Sequence, residues 1–191
     1  MIKNIILDVG GILFDDSKEN IRKIVGNDYE EIYKAAYSGG FKDCLLGTKT
    51  LIELIEELKD NMYYEKLKYI LSEENLNVSY PLLKENFEYI KTLKDFGYNL
   101  YLLTNINKET HKYINGIIDI DKYFKGGIYS YKEGIKKPNP NIYDLLINRF
   151  GLKKEECIFF DDRKRNVDAA ISCGINSHVF KSIDDIKNNI I

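Results

Sequence analysis

Short apolar runs that end abruptly in polar residues are the strongest pattern along the chain. Ile2 to Leu7 meets Asp8 and then Gly10-Gly11, as a fully buried strand does when its C-terminal tip opens into a turn. Asn99 to Leu103 repeats the pattern and ends in Thr104-Asn105, and Cys157 to Phe160 ends in Asp161-Asp162. Weaker strands fit Gly127 to Tyr129 and Ser177 to Phe180. Helical spacing falls between these runs at Leu82 to Phe96, Asn141 to Phe150 and Asn166 to Cys173. Strand and helix alternate, which predicts an α/β fold with a parallel sheet.

One connection breaks the rhythm. From Asp16 to Pro81, between the first two strands, about seventy residues carry helical periodicity and no convincing strand, far more than most βα connections use. Leu51, Leu54, Ile55 and Leu58 form one apolar face, Thr50 with Glu53 fits a capping box, and Gly39-Gly40 and Gly47 punctuate the turns. Residues 16–81 are therefore expected to be a small helical cap inserted after strand 1, and residues 1–15 with 82–191 the core domain. Leaving at a strand's polar tip, the insert is expected over the carboxyl ends of the strands, where open α/β sheets bind ligands. Tyr29, Tyr33 and Tyr37, four residues apart, share a helix face and are expected to pack half-buried against the core domain.

Composition narrows the class. A chain of 191 residues with 44% hydrophobic and 30% charged residues suits one soluble domain with an insert. By surface scaling it buries about 70% of its surface, enough for a core without staples. Lys+Arg 28 against Asp+Glu 30 gives a net charge of -2, with no basic stripe interleaved with aromatics, so nucleic acid is not an expected partner. Cys44, Cys157 and Cys173 have no metal spacing and read as buried thiols in a reducing compartment. The apolar N-terminus meets Asp8 too soon for a signal or a span, so a cytoplasmic protein with no membrane partner is expected. His111 and His178 stand alone and read as structural or solvated, and Lys132-Glu133 and Lys136 as a solvated loop near the polar strand ends.

Asp8, Thr104-Asn105, Lys137 and Asp161-Asp162 fall at one edge of the predicted sheet. Three carboxylates brought together raise one another's pKa unless a cation sits among them. With only oxygen ligands on offer, the hard ion Mg²⁺ fits better than Zn²⁺.

Asp8-Val9-Gly10-Gly11-Ile12-Leu13, Thr104-Asn105, Lys137-Pro138-Asn139-Pro140 and Phe160-Asp161-Asp162 together resemble the four motifs of the haloacid dehalogenase (HAD) superfamily. The wording is closest to a subfamily IA-like branch that includes glucose-1-phosphate phosphatase-like proteins and the N-terminal domain of epoxide hydrolase. The resemblance implies a Rossmann-like, doubly wound core under a helical cap. It also implies Mg²⁺-dependent hydrolysis of a small phosphate monoester, sugar phosphates foremost, by a monomer or weak homodimer.

Carried over residue by residue, Asp8 would be the nucleophile that forms an aspartyl-phosphate. Thr104 and Asn105 would bind phosphoryl oxygens, and Lys137 would neutralise charge shared between Asp8 and the phosphate. Asp8, the Gly10 carbonyl, Asp161 and Asp162 would hold the metal, with Asn166 orienting the acid pair or capping a helix.

Gly10 is the departure: most phosphatases of the superfamily carry a second Asp there, as general acid and base. Asp15 or Asp16 is the candidate substitute, though an acid at a helix entrance is also a cap. Two other readings stand beside the phosphatase: a metal-independent 2-haloacid dehalogenase using Asp8, and a binding or regulatory module with little turnover.

Overall fold

The computed structural model describes residues 1–190; Ile191, the last position of the expected core segment, lies outside them. Five strands form one all-parallel sheet: β1 (Asn4–Leu7), β2 (Asn99–Thr104), β3 (Gly126–Tyr129), β4 (Cys157–Asp161) and β5 (Asn176–Val179). Their spatial order is β3-β2-β1-β4-β5, so β1 is central and the winding reverses between β1 and β4. Leu7 pairs with Leu102 on one side and Phe160 on the other, which sets the polar strand ends level.

The apolar runs are continuous because both faces of the sheet are covered. Ile5, Leu7, Leu100, Leu102, Ile158 and Phe160 face one layer, which contains α7 (Lys84–Asp95), α8 (Lys108–Ile117), α9 (Ile120–Tyr123) and α13 (Ile183–Lys187). Ile6, Tyr101, Leu103, Cys157 and Phe159 face the other, which contains α11 (Pro140–Arg149) and α12 (Lys164–Ser172). The doubly wound α/β core is thus a three-layer sandwich, and the short helix α10 (Ser130–Glu133) follows β3 directly.

Between β1 and α7 run six helices: α1 (Lys18–Val25), α2 (Tyr29–Tyr37), α3 (Gly40–Leu45), α4 (Leu51–Glu57), α5 (Tyr64–Leu71) and α6 (Leu76–Ser79). Ile21, Ile32, Cys44, Leu54, Leu67 and Ile70 meet in a hydrophobic cluster distinct from those on the sheet. The capping box at α4 is formed, with Glu53 N–H donating to Thr50 Oγ1 at 3.1 Å and Thr50 N–H to Glu53 Oε2 at 2.8 Å. The two chain passages into and out of this segment pair with each other: Asp15 N–H donates to Pro81 O at 2.9 Å and Leu83 N–H to Leu13 O at 2.8 Å. Phe14 stacks on Tyr80 beside them, ring centroids 5.3 Å apart.

Two expectations about packing are corrected. Tyr29, Tyr33, Tyr37 and Phe41 pack on one another in tilted and edge-to-face pairs, centroids 4.8 to 5.5 Å apart, and belong to the helical segment's own hydrophobic cluster, not to those on the sheet. Cys44 and Cys157 are buried, but Cys173 is only half-buried because it caps the exposed end of α12.

Candidate active site

Asp8 follows β1, and Asp161 with Asp162 closes β4, so the carboxylates meet at the reversal of winding where an open sheet leaves a crevice. The turn that makes room is glycine-dependent. Gly11 has φ +71°, and a Cβ there would lie 2.9 Å from Cβ of Asp162.

Lys137 is wholly buried beneath the crevice, its Nζ 2.6 Å from Asp161 Oδ2 and 2.9 Å from Asp8 Oδ2. Asn105 holds it there: Lys137 N–H donates to Asn105 Oδ1 at 2.8 Å, and Asn105 Nδ2 donates to Lys137 O at 2.9 Å. The Asn105 side chain thus positions the lysine through one accepted and one donated bond. Asn166, in the first turn of α12 and buried, donates to both Asp161 oxygens at 2.9 and 3.0 Å. Arg163 N–H also donates to Asp161 Oδ1 at 2.9 Å.

The two acids of the pair therefore differ. Asp161 is saturated with donors, and the Lys137 charge with these hydrogen bonds outweighs burial and holds its carboxyl below the usual range. Asp162 Oδ1 is buried without a hydrogen-bond partner, its closest cation being Arg163 Nε at 3.8 Å. Burial, then the charge of Asp16, pushes Asp162 up to about 6. Burial pushes Asp8 up to about 7 against the pull of Lys137, and Asp161 and Asp162 add to the rise.

One ligand oxygen from each of Asp8, Asp161 and Asp162 can lie within 4.8 Å of the others. An all-oxygen donor set with an orphaned carboxylate oxygen and raised neighbours fits a hard divalent cation.

Above the acids lies a cavity of about 450 Å³ lined by both the sheet edge and the helical segment. Asp8, Gly10 and Asn105 line its floor, and Tyr33, Tyr37 and Phe41 line it from the helices. Thr104 is buried at the end of β2, directly before Asn105 on that floor. Lys136 lines the cavity, half-buried, so it is not the solvated loop residue that the sequence suggested.

The structure separates the two acids of the entrance. Asp15 turns away and accepts Ser17 N–H at 2.9 Å; burial raises its carboxyl, but Ser17 with Asn20 and the charge of Lys23 outweighs that and holds it low. Asp16 turns inward and accepts Arg163 Nη2 at 3.0 Å. A Cβ built on Gly10 would lie 2.9 Å from Asp16 Oδ2, so the Asp16 carboxyl fills the space a side chain at residue 10 would take. Arg163, directly after the acid pair, and Tyr80 both line the cavity wall, and Tyr80 is a neighbour no spacing in the sequence marked. His111 stacks on Tyr129, its Nδ1 2.8 Å from Tyr131 Oη, and burial pushes it down to about 4, a structural neutral ring.

The sequence profile of a hydrolase family described as haloacid dehalogenase-like hydrolase matches residues 2–174. A phosphorylated carbohydrates phosphatase of Thermotoga maritima is 28% identical over 181 residues, 90% of this chain and 81% of the relative. A glyceraldehyde 3-phosphate phosphatase of Pyrococcus furiosus is 29% identical over 184 residues, 85% of this chain and 73% of the relative. A HAD family enzyme of Bacteroides thetaiotaomicron, solved with magnesium and inorganic phosphate, shares the fold at TM-score 0.77 and 23% identity, over 100% of both chains.

Proposed function

The chain belongs to the haloacid dehalogenase-like hydrolases, and we propose that within this family it is a Mg²⁺-dependent phosphatase of a small phosphate monoester, a sugar phosphate foremost. The observation that carries the reading is the split of the acid pair: Asp161 committed to Lys137, and Asp162 Oδ1 left without a partner beside Asp8. The two relatives above, a phosphorylated carbohydrates phosphatase and a glyceraldehyde 3-phosphate phosphatase, support the substrate class.

Asp8 and Asp162 would hold Mg²⁺ with the Gly10 carbonyl, and Asp161 completes the acidic group. When bound, the ion supplies positive charge shared by the nucleophile and the phosphoryl oxygens. Asp8 attacks phosphorus as the bond to the leaving alcohol oxygen breaks, giving an aspartyl-phosphate. Lys137 holds the charge on the Asp8 oxygen that does not attack, and the Thr104 hydroxyl and the Asn105 backbone receive phosphoryl oxygens. Asp16 delivers the proton to the leaving oxygen. It then takes one from water, whose oxygen attacks phosphorus and frees Asp8.

Residues 16–81 act as the cap in this reading, shielding the floor formed by 1–15 and 82–191. Three unpaired cysteines support a cytoplasmic setting, and no helix among the described residues is long and apolar enough to cross a membrane. A dehalogenase needs no ion at Asp162, and its unpartnered oxygen speaks for the phosphatase.

The test is hydrolysis of p-nitrophenyl phosphate with Mg²⁺, then with EDTA, then with the ion restored. Turnover should vanish and return; turnover that survives EDTA would reject the metal-dependent reading.

A further inference from the structure

Four cationic side chains share the wall of the cavity. Lys42 comes from α3 in the helical segment, Lys136 from the loop before Pro138, and Arg163 and Arg165 from the start of α12. Only Arg163 is engaged, with Asp16 at 3.0 Å; among the described residues Lys42, Lys136 and Arg165 make no ion pair within 4.0 Å. The remaining lining acids are Asp8 and Asp16, and both already have cationic partners.

The first phosphate does not need this group. Beneath Asp8, Lys137 answers the charge of the reacting centre, and its side chain does not reach the cavity wall. Lys136, its immediate neighbour in sequence, lines the cavity instead. Burial, then the charges of Arg165, Lys42 and Arg163, lowers the Lys136 pKa, in keeping with all four lining one cavity. Like charges gathered around a half-buried lysine repel unless an anion lies among them. The helical segment and the sheet domain each contribute, so an anion seated there would touch both.

We propose that the substrate carries a second anionic group, a carboxylate or a second phosphate, which Lys42, Lys136 and Arg165 bind while its first phosphate lies over Asp8. The proposal rests on the phosphatase reading and narrows it to bis-anionic monoesters such as phosphorylated sugar acids and sugar bisphosphates. A cavity of about 450 Å³ holds a molecule of that size. Tyr33, Tyr37 and Phe41 would line the carbon skeleton between the two charges.

The test is binding, measured by calorimetry on the Mg²⁺-loaded protein with phosphonates that cannot be hydrolysed. Phosphonoacetate offers a carboxylate, propane bisphosphonate a second phosphonate and propylphosphonate a neutral tail. At least one of the first two should bind tenfold or more tighter than propylphosphonate, and which one does identifies the second group. Lys136→Met and Arg165→Gln should each bring that ratio close to one. A ratio near one in the wild type, or one that persists in both variants, would overturn the proposal. So would variants that weaken propylphosphonate as much as the bis-anionic ligand, because the cations would then serve the first phosphate. Hydrolysis of p-nitrophenyl phosphate on the same preparations reports on the phosphatase reading separately: a selective binder without turnover would refute that reading and leave the second anion site standing.

Discussion

A single ammonium stands between two carboxylates under the cavity, and its surroundings decide which of them it serves. Lys137 lies closer to Asp161 than to Asp8, and Asp161 collects further donors from Asn166 and Arg163. Asp8 is left buried with a raised pKa of about 7. Removing the lysine by Lys137→Met leaves two buried acids facing each other, a change that costs about 3–5 kcal/mol. A lower denaturant midpoint together with lost turnover is the expected pair of results.

Protons and metal should compete for Asp8. Its folded pKa lies above the ordinary 3.8, and Asp162 is raised to about 6, so both contribute stability that is present at low pH and fades as pH rises through those values. Asp161, held low, contributes in the opposite direction, with stability present above the ordinary value. The metal-free protein should therefore melt lower near about pH 8 than near about pH 5.5, and Mg²⁺ should raise the melting temperature most at the higher pH. Thermal scans with and without EDTA at both pH values check this.

The entrance acids give a sharper contrast. Asp16→Asn should reduce kcat by about 10²–10⁴-fold, whereas Asp15→Asn, whose acid faces Ser17, should leave it within about twofold. Equal effects of the two would remove Asp16 from proton transfer.

At the scale of elements, the strand ends were legible because continuous apolar runs have one physical explanation in a chain of this size, burial on both faces. The polar tips at Asp8, Thr104 and Asp161 follow directly, since a buried strand ends where its side chains meet polar partners instead of the apolar layers. Boundaries moved by one or two residues: α12 begins at Lys164, not Asn166, because Arg163 has the extended backbone of a helix cap and the first turn needs no apolar residue. The helical segment was legible as helices but not as a wall. Periodicity shows that Tyr33 and Tyr37 share a face, yet which neighbour that face meets depends on how α2 sits over the sheet.

The turn at Gly47 shows the same limit. Its φ is +75°, and a Cβ there would lie 2.0 Å from the backbone oxygen of Tyr131, a contact between the helical segment and the sheet domain. Gly47→Ala should push the two apart, and hydrogen exchange should rise at residues 46–50 and 130–132 while the strands stay protected. Unchanged exchange at both stretches would show that the contact does not join them.

Across the whole molecule, the cavity lies where the helical segment faces the sheet edge. The sheet supplies the acids and Lys137; the helical segment supplies the aromatic wall and Lys42. The paired passages at Leu13 to Asp15 and Pro81 to Leu83 join them beside Phe14 and Tyr80, and Asp16 with Arg163 spans the boundary at the cavity edge. The four motifs were readable because strand ends bring them together by topology alone. Asp16 could not be told from Asp15, nor Arg163 and Lys136 be put on the cavity wall, because those roles depend on contacts between units that no spacing encodes.

The central claim is that Asp8 is the nucleophile of a metal-dependent phosphatase, and the most direct measurement is p-nitrophenyl phosphate turnover of Asp8→Asn beside the wild type, both with Mg²⁺ and both shown folded by thermal unfolding. The variant should lose about 10³-fold or more in kcat, because a neutral carboxamide at residue 8 lacks the anionic oxygen that attacks phosphorus. Turnover within about tenfold of the wild type would contradict the assignment of Asp8 and with it the mechanism built on it.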